Sequence, residues 1–245
     1  MQLRDMLGRA ARIAFLGGAG LSTESGILDF RSSNGVYAAL RAYGEPPEVL
    51  LSHDYFLRHT ETFFDYYRKY LICPDAKPNA AHLALARLEQ QGKLTAVITQ
   101  NIDGLHQRAG SKTVLELHGS VYRNHCMRCG RAYPVEAVVA TAGVPRCDCG
   151  GIIKPDVVLY GEGLDSKILS DAVAHIASAD MLLIGGTQLS VYPAAGLVDY
   201  FRGRDIAVIN LSETSRETGA ALTIRRPIGE VLSEVVPCSH RRRSR

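Results

Sequence analysis

The chain has 245 residues, 46% of them apolar, and a formal net charge of +3. That length suits one large domain or a domain with a smaller insert. No stretch approaches the roughly 18 uncharged apolar residues of a membrane helix. The opening MQLRDMLGRAARIAFLGGAG lacks the apolar block and cleavage site of a secretory signal. A cytoplasmic protein with no membrane partner is expected. Arg241, Arg242, Arg243 and Arg245 carry the charge excess, since removing these four from 28 basic residues leaves 24 against 25 acidic ones. The body is therefore near neutral and no specific nucleic-acid partner is expected. Residues 237–245 are expected to form a disordered basic tail.

In chain order, the first ten residues read as a short basic helix and RIAFLGG as a buried strand ending in glycines. Residues 32–77 are rich in Tyr and Phe, and DYFLRHTETFFDYYRKYL suggests one or two helices. AAHLALARLEQQG has apolar residues at helical spacing and stops at a glycine. TAVITQN and TVLELHG read as a second and third strand. Residues 119–154 hold four cysteines and little regular pattern. KPDVVLYGE reads as a fourth strand, SKILSDAVAHIASA as an amphipathic helix, DMLLIGGT as a strand and DIAVINLSE as the last one. Strands alternating with helices predict an α/β fold, a Rossmann-like mostly parallel sheet with helices on both faces. The two stretches outside that alternation predict a small domain made of a zinc-binding module and a helical insertion. The expected division is 1–31, 78–118 and 155–236 for the Rossmann-like domain, and 32–77 with 119–154 for the small one.

Chemistry gathers at strand ends, where ligands bind in open α/β sheets. Gly17-Gly18-Ala19-Gly20 follows the first strand. Glycines there admit a phosphate close to the backbone, although a tight strand-to-helix turn needs them too. The acid that usually binds ribose at the end of the second strand is absent. Gln100-Asn101-Ile102-Asp103 ends that strand, with helix capping as its bland alternative. His118 ends the third, before Gly119, where an imidazole suits a general base. A lone histidine is more often structural, and His106 and His125 are nearby decoys. Cys126-x2-Cys129-x17-Cys147-x-Cys149 pairs thiolates as a closed tetrahedral site requires. With four sulfur ligands and no open position, one structural Zn2+ is expected, ahead of an iron–sulfur or redox role.

The segment GAGLSTESGILDFR closely resembles the signature of the sirtuin family, NAD-dependent protein-lysine deacylases, in its bacterial or archaeal-like single-domain form. It has Leu28 where proline is usual and Leu21 where isoleucine is common. QNID, the His118-Gly119 pair, the cysteines, PDVVLYGE and GGTQLS follow in the family's order, and the resemblance spans about residues 10–236.

The resemblance implies NAD as co-substrate, contacted by Gly18, Ala19, Gly20, Thr23, Asp29, Phe30, Arg31, Gln100, Asn101, Ile102, Asp103, His118, Gly186, Thr187, Gln188, Asn210 and Ile228. It implies catalytic roles for His118, Asn101 and Asp103, with His118 as general base. It implies acyl-lysine protein or peptide substrates held along Val157, Val158, Tyr160, Gly161 and Glu162. Two more departures occur: Tyr160 stands where phenylalanine is usual, and Gln188 where a small hydroxyl residue is. Family members that prefer acidic acyl groups carry Tyr and Arg three apart; here Tyr37 and Arg41 are four apart, which disfavours acidic acyl groups. The implied reaction is deacetylation of acetyl-lysine with release of nicotinamide and O-acetyl-ADP-ribose. Mono-ADP-ribosyl transfer, a longer acyl chain and a non-enzymatic NAD-sensing module are the rivals.

Overall fold

The computed structural model describes residues 2–29, 32–214, 217 and 219–236. Phe30, Arg31 and the basic tail at 237–245 lie outside the described residues.

Among the described residues the larger sheet has six parallel strands: β1 (Ile13–Gly17), β2 (Leu94–Thr99), β3 (Val114–Glu116), β7 (Met181–Gly185), β8 (Asp205–Ile209) and β9 (Leu222–Ile224). Their spatial order is β3-β2-β1-β7-β8-β9. The chain first winds outward from β1 to β3, then restarts beside β1 at β7, so the order reverses between β1 and β7. That reversal opens a crevice at the carboxyl ends of these two strands. Their register sets Phe15 beside Leu183 and Gly17 beside Gly185.

Every residue of β1 and β7 is buried, as a sheet covered on both faces demands. Alternation then divides the core. Ile13 and Phe15 join one apolar cluster with Leu3 and Met6 of the helix Gln2–Arg9, Leu85 and Leu88 of the helix Ala80–Gln90, and Val231 and Leu232 of the helix Ile228–Val235. Ala14 and Leu16 face the other way, onto Ala172 and Ile176 of the helix Ser166–Ser178 and the turn Ala194–Tyr200. Asp165 starts the helix Ser166–Ser178 by accepting from the N–H groups of Lys167 and Ile168, at 2.8 and 2.9 Å.

A separate antiparallel sheet is built from β4 (Gly119–Cys126), β5 (Ala132–Pro134) and β6 (Ile153–Val157), in the order β5-β4-β6. The Tyr- and Phe-rich stretch forms the helices Ser33–Tyr43, Pro47–Leu50, His53–Arg58 and Thr60–Tyr70, the last two covering the segment in which the sequence pattern suggests one or two. Local chemistry divides them: Gly44 ends the first in the left-handed region, and the Ser52 hydroxyl caps the third through Tyr55 N–H. Phe56, Phe63, Phe64 and Tyr67 are fully buried and pack ring on ring, Phe56 to Phe63 at 4.9 Å between centroids. Their cluster also takes in Val121, Cys126, Val138, Cys147 and Ile153, so the two insertions share one apolar core.

Two strand assignments differ from the sequence reading. KPDVVLYGE does not enter the parallel sheet. Residues Ile153–Val157 pair antiparallel with β4, Ile153 opposite Cys126 and Val157 opposite Gly119, and the rest is loop. An apolar run announces a strand without naming its partner. DIAVINLSE is not the last strand either, because Leu222–Ile224 adds a further edge, three residues too short to show a period.

Candidate active site

The crevice begins where β1 and β7 end. Gly20 N–H donates to the Gly186 carbonyl at 2.8 Å, joining the two strand-end loops. A Cβ on Gly18 would meet Thr187 at 3.0 Å, and one on Gly20 would meet the Gly186 backbone at 3.0 Å. Gly186 itself has φ +61°, which a side chain resists. The glycines are thus needed for the close packing of two loops, and the same bareness lets a ligand approach the backbone closely.

These loops line a cavity of about 710 Å³. Of the sequence-predicted residues, Ala19, Gly20, Thr23, Asp29, Gln100, Asn101, Ile102, Asp103, His118, Gly186, Thr187, Gln188, Asn210 and Ile228 line it. So do Val157, Val158, Tyr160, Gly161 and Glu162. Gly18 stands behind the wall, against Thr187. Leu28, the departure from proline, lines the cavity and is 37% exposed.

The polar groups at the end of β2 are tied together. Asn101 Nδ2 donates to Ser22 Oγ at 2.9 Å, and Ser22 Oγ donates to Asp103 Oδ2 at 2.6 Å. Asp103 Oδ1 accepts from Leu105 N–H at 2.9 Å. Burial pushes the Asp103 carboxyl above its ordinary range, while the Ser22 hydroxyl, the Leu105 N–H and the Arg108 charge pull it back in part. Ser22 carries no signal of a role in the glycine-rich turn, yet it is the hub of this cluster. Gln100 Nε2 donates to Thr187 Oγ1 at 3.0 Å, bridging the ends of β2 and β7.

His118 follows β3 and enters the same cavity from the opposite side of β2. Its Nδ1 lies 3.0 Å from the Gln100 carbonyl oxygen. His118 O accepts from Val158 N–H at 3.0 Å, so the histidine also anchors the segment after β6. The backbone of Tyr160 is engaged further along: its N–H donates to Leu51 O at 3.0 Å and its carbonyl accepts from His53 N–H at 2.9 Å. The Glu162 carboxylate turns inward. It accepts from Leu159 N–H at 2.9 Å, Lys154 Nζ at 3.2 Å and faces His53 Nδ1 at 2.8 Å. Burial raises its carboxyl, but these three partners outweigh burial and hold it below the usual range. Of the remaining predicted residues, Asn210 Nδ2 donates to Ser212 O at 2.9 Å at the far end of the cavity.

The decoy histidines sit elsewhere. His106 is buried behind the site, 4.7 Å ring to ring from His82. His125 pairs with Asp156 on the small sheet. Glu24, which also lines the cavity, is a second residue the sequence does not single out; its Oε1 caps Gly229 N–H at 2.9 Å, at the start of the helix Ile228–Val235.

Cys126, Cys129, Cys147 and Cys149 converge away from this cavity. Their sulfurs all lie within 4.8 Å of one another, with Cys126 to Cys149 at 3.4 Å and Cys129 to Cys147 at 3.6 Å. Tetrahedral zinc with bonds of about 2.3 Å sets its sulfurs about 3.8 Å apart. The cluster therefore fits one zinc ion, and four thiolates leave no open position for catalysis. Cys126 comes from the end of β4 and Gly151 crosses directly over its sulfur, where a side chain would clash at 2.6 Å.

A family model described as the Sir2 family matches residues 18–193. The chain is similar to an NAD-dependent protein deacetylase of Clostridium acetobutylicum, 54% identical over 237 residues, covering 96% of this chain and 97% of the relative. It is also similar to an NAD-dependent protein deacetylase of Cutibacterium acnes, 50% identical, covering 96% of each. Among solved structures it resembles a Sir2 with a p53 peptide and NAD+, at a TM-score of 0.84 and 37% identity over 96% of this chain and 95% of that one. A Sir2 complex with the inhibitor EX-527, 2'-O-acetyl-ADP-ribose and deacetylated p53 peptide gives a TM-score of 0.84 and 38% identity over 96% of each. A sheet that reverses between β1 and β7, a polar cluster at that reversal and a match along nearly the whole length agree: the chain belongs to the Sir2 family.

Proposed function

We propose that this chain removes acetyl groups from protein lysines in an NAD-dependent reaction that releases nicotinamide and O-acetyl-ADP-ribose. The observation that carries this reading is a single cavity that joins His118, the Asn101–Ser22–Asp103 cluster and the segment Val157–Tyr160. NAD supplies the ribose carbon that takes the acyl oxygen as nicotinamide leaves. The chain's own residues divide the remaining work. Gly20 and Gly186 bring bare backbone to the phosphates, with Thr187 and Gln188 beside them and Asn210 and Ile228 at the adenosine end. Asn101 and Asp103 orient the ribose and nicotinamide from a buried, prearranged cluster, which costs no reorganisation when charge develops. His118 takes a proton at Nε2, the nitrogen opposite its bond to Gln100. Val158 and Tyr160 wall the lysine's methylene chain, and the Glu162 carboxylate holds their loop in shape.

A neutral acyl group is the favoured substrate. Neither Tyr37 nor Arg41 is among the cavity-lining residues, and Tyr37 is 66% exposed, which supports the reading from their spacing. The zinc ion holds the small sheet and takes no part in the chemistry. No helix among the described residues is long and apolar enough to cross a membrane. Four clustered cysteines that fit a zinc ion suit a reducing compartment, and we place the enzyme in the cytoplasm.

The test is a panel of acetyl-, longer acyl- and succinyl-lysine peptides, with and without NAD, beside His118→Ala. Nicotinamide release that requires both NAD and acetyl-peptide is expected. Stable labelling of protein by labelled NAD without any acyl-peptide would instead support ADP-ribosyl transfer, and equal turnover of succinyl- and acetyl-peptides would overturn the neutral-acyl assignment.

A further inference from the structure

Asn79 and His82 stand outside the cavity wall, yet they connect its loop to the body of the fold. Asn79 is the N-cap of the helix Ala80–Gln90, its Oδ1 accepting from the N–H groups of Ala81 at 2.9 Å and His82 at 3.4 Å. The other half of the amide faces away from the helix. Asn79 Nδ2 donates to the Leu21 carbonyl at 2.8 Å and to Ser25 Oγ at 3.0 Å. Those two acceptors bracket Ser22, the hub between Asn101 and Asp103.

His82 completes a capping box by accepting the Asn79 N–H at its Nδ1, 3.2 Å away. Acceptance there places the ring proton on Nε2. The ring is fully buried and lies 4.7 Å from that of His106, on the short helix Leu105–Arg108. That helix begins at the N–H bound by Asp103. The pair Asn79–His82 thus stands between the loop that carries Ser22 and the segment that carries Asp103, and touches neither ligand pocket nor solvent-facing chemistry.

We propose that Asn79, oriented by His82, is a positioning residue for NAD. It holds residues 21–25 in the one shape that sets Ser22 between Asn101 and Asp103, so that the site is formed before the cofactor arrives. The inference rests on the NAD-dependent reading above. Without the tether, Leu21 and Ser25 lose a shared donor, and the loop spreads over other conformations. Affinity for NAD then falls in proportion to the fraction of molecules still in the competent shape.

Asn79→Asp separates the two halves of the amide. Aspartate caps a helix as well as asparagine, but it has no donor for Leu21 or Ser25. The expected result is a rise in KM and Kd for NAD of about tenfold, because the Leu21 carbonyl loses its donor and faces a carboxylate oxygen instead. The turnover number should stay within about threefold of the parent and thermal stability close to it, because the cap survives. Ser25→Ala, which leaves the helix untouched, should shift KM the same way by about two- to threefold. His82→Gln keeps an acceptor at the third helical position, as capping boxes with glutamine do, and should behave like the parent. His82→Leu fills the space without an acceptor and should resemble Asn79→Asp. NAD binding is titrated without peptide, and KM and kcat are measured with an acetyl-lysine peptide. A parental NAD KM in Asn79→Asp, or His82→Gln as impaired as His82→Leu, overturns the inference while the functional reading stands. A parent protein that binds no NAD overturns both.

Discussion

His118 Nδ1 sits 3.0 Å from the backbone carbonyl of Gln100, and Gln100 N–H in turn donates to Gly17 O at 3.0 Å. A carbonyl oxygen only accepts, so the His118 ring carries its proton on Nδ1 and its basic lone pair on Nε2. The tautomer is therefore set by main-chain atoms of the strand end that also presents Asn101, and β1 holds that strand end in place. His118→Ala should lower kcat by roughly 10²- to 10⁴-fold, the usual worth of a positioned base. NAD affinity should change little, because the ring's bond to Gln100 serves orientation. A variant that kept more than about a tenth of parental kcat would be incompatible with a base at this position.

Ser22 gives a sharper test, since no chemistry is asked of it. Its hydroxyl satisfies Asp103 Oδ2 and Asn101 Nδ2 together, in a buried cluster. Ser22→Ala leaves both without that partner, at about 1–3 kcal/mol for each buried group left unpaired. The expected loss in kcat/KM is about 30-fold or more. The Ser22 bond also lowers the Asp103 carboxyl against the upward push of burial. Removing it leaves only the Leu105 N–H and the Arg108 charge against that push, so the acidic limb of the pH–rate profile should move to higher pH. An unmoved limb would mean that Asp103 does not titrate in the working range.

Legibility in the sequence divides along chain distance. Gly17–Gly20, the Gln100–Asp103 run, His118 and the cysteine pairs are short motifs, and a strand-end position or a thiolate spacing is enough to suggest what each does. Ser22 acts through Asn101 and Asp103, 79 and 81 residues away, and no local pattern announces such a partner. The same holds for Asn79, whose capping role is local but whose tether reaches back 58 and 54 residues to Leu21 and Ser25. KPDVVLYGE reads as a core strand because its apolar run has no way to specify that the strand forms earlier, at Ile153–Val157, and that β4 rather than the parallel sheet receives it. Glu162 reads as a substrate residue from its neighbours in the motif and lines the cavity, but no local pattern announces the three internal partners of its carboxylate.

The buried imidazoles of His82 and His106 make the fold acid-sensitive. Burial pushes His82 down to about 4. It pushes His106 well below its ordinary value, with His82 adding a smaller push the same way. Both rings are thus neutral in the fold but take up a proton in the unfolded chain once the pH drops below about 6.5. Their contribution to stability is complete above pH 6.5 and is lost as the pH falls toward 4. For His82 alone the loss over that window is about 3 kcal/mol. Urea denaturation at pH 7, 5.5 and 4.5 should show a midpoint that falls steadily, and His82→Gln should flatten the slope. A constant midpoint across this range would contradict the buried neutral pair.

Removing zinc should reach the chemistry even though no zinc ligand lines the cavity. Metal analysis should find about one zinc per chain, as four thiolates imply. Cys126 closes β4 and Gly119 opens it, directly after His118. β4 pairs with β6 toward both of its ends, Cys126 opposite Ile153 and Gly119 opposite Val157, with an irregularity between Ser120 and Asn124, and Val158 N–H bonds the His118 carbonyl. A small module that depends on its metal for folding loses most of its stability with the ion, since structural zinc contributes on the order of 10 kcal/mol. Melting of β4 and β6 then frees His118 and the Val157–Tyr160 segment together. The parallel sheet, with Gly20, Asn101 and Thr187, has its own core on both faces and should persist. Chelation, or Cys126→Ser, should therefore lower deacetylation by well over about tenfold while NAD titration still shows binding. Zinc-free protein with parental kcat would show that β4 keeps its shape without the ion, and that the thiolate cluster and His118 are mechanically independent.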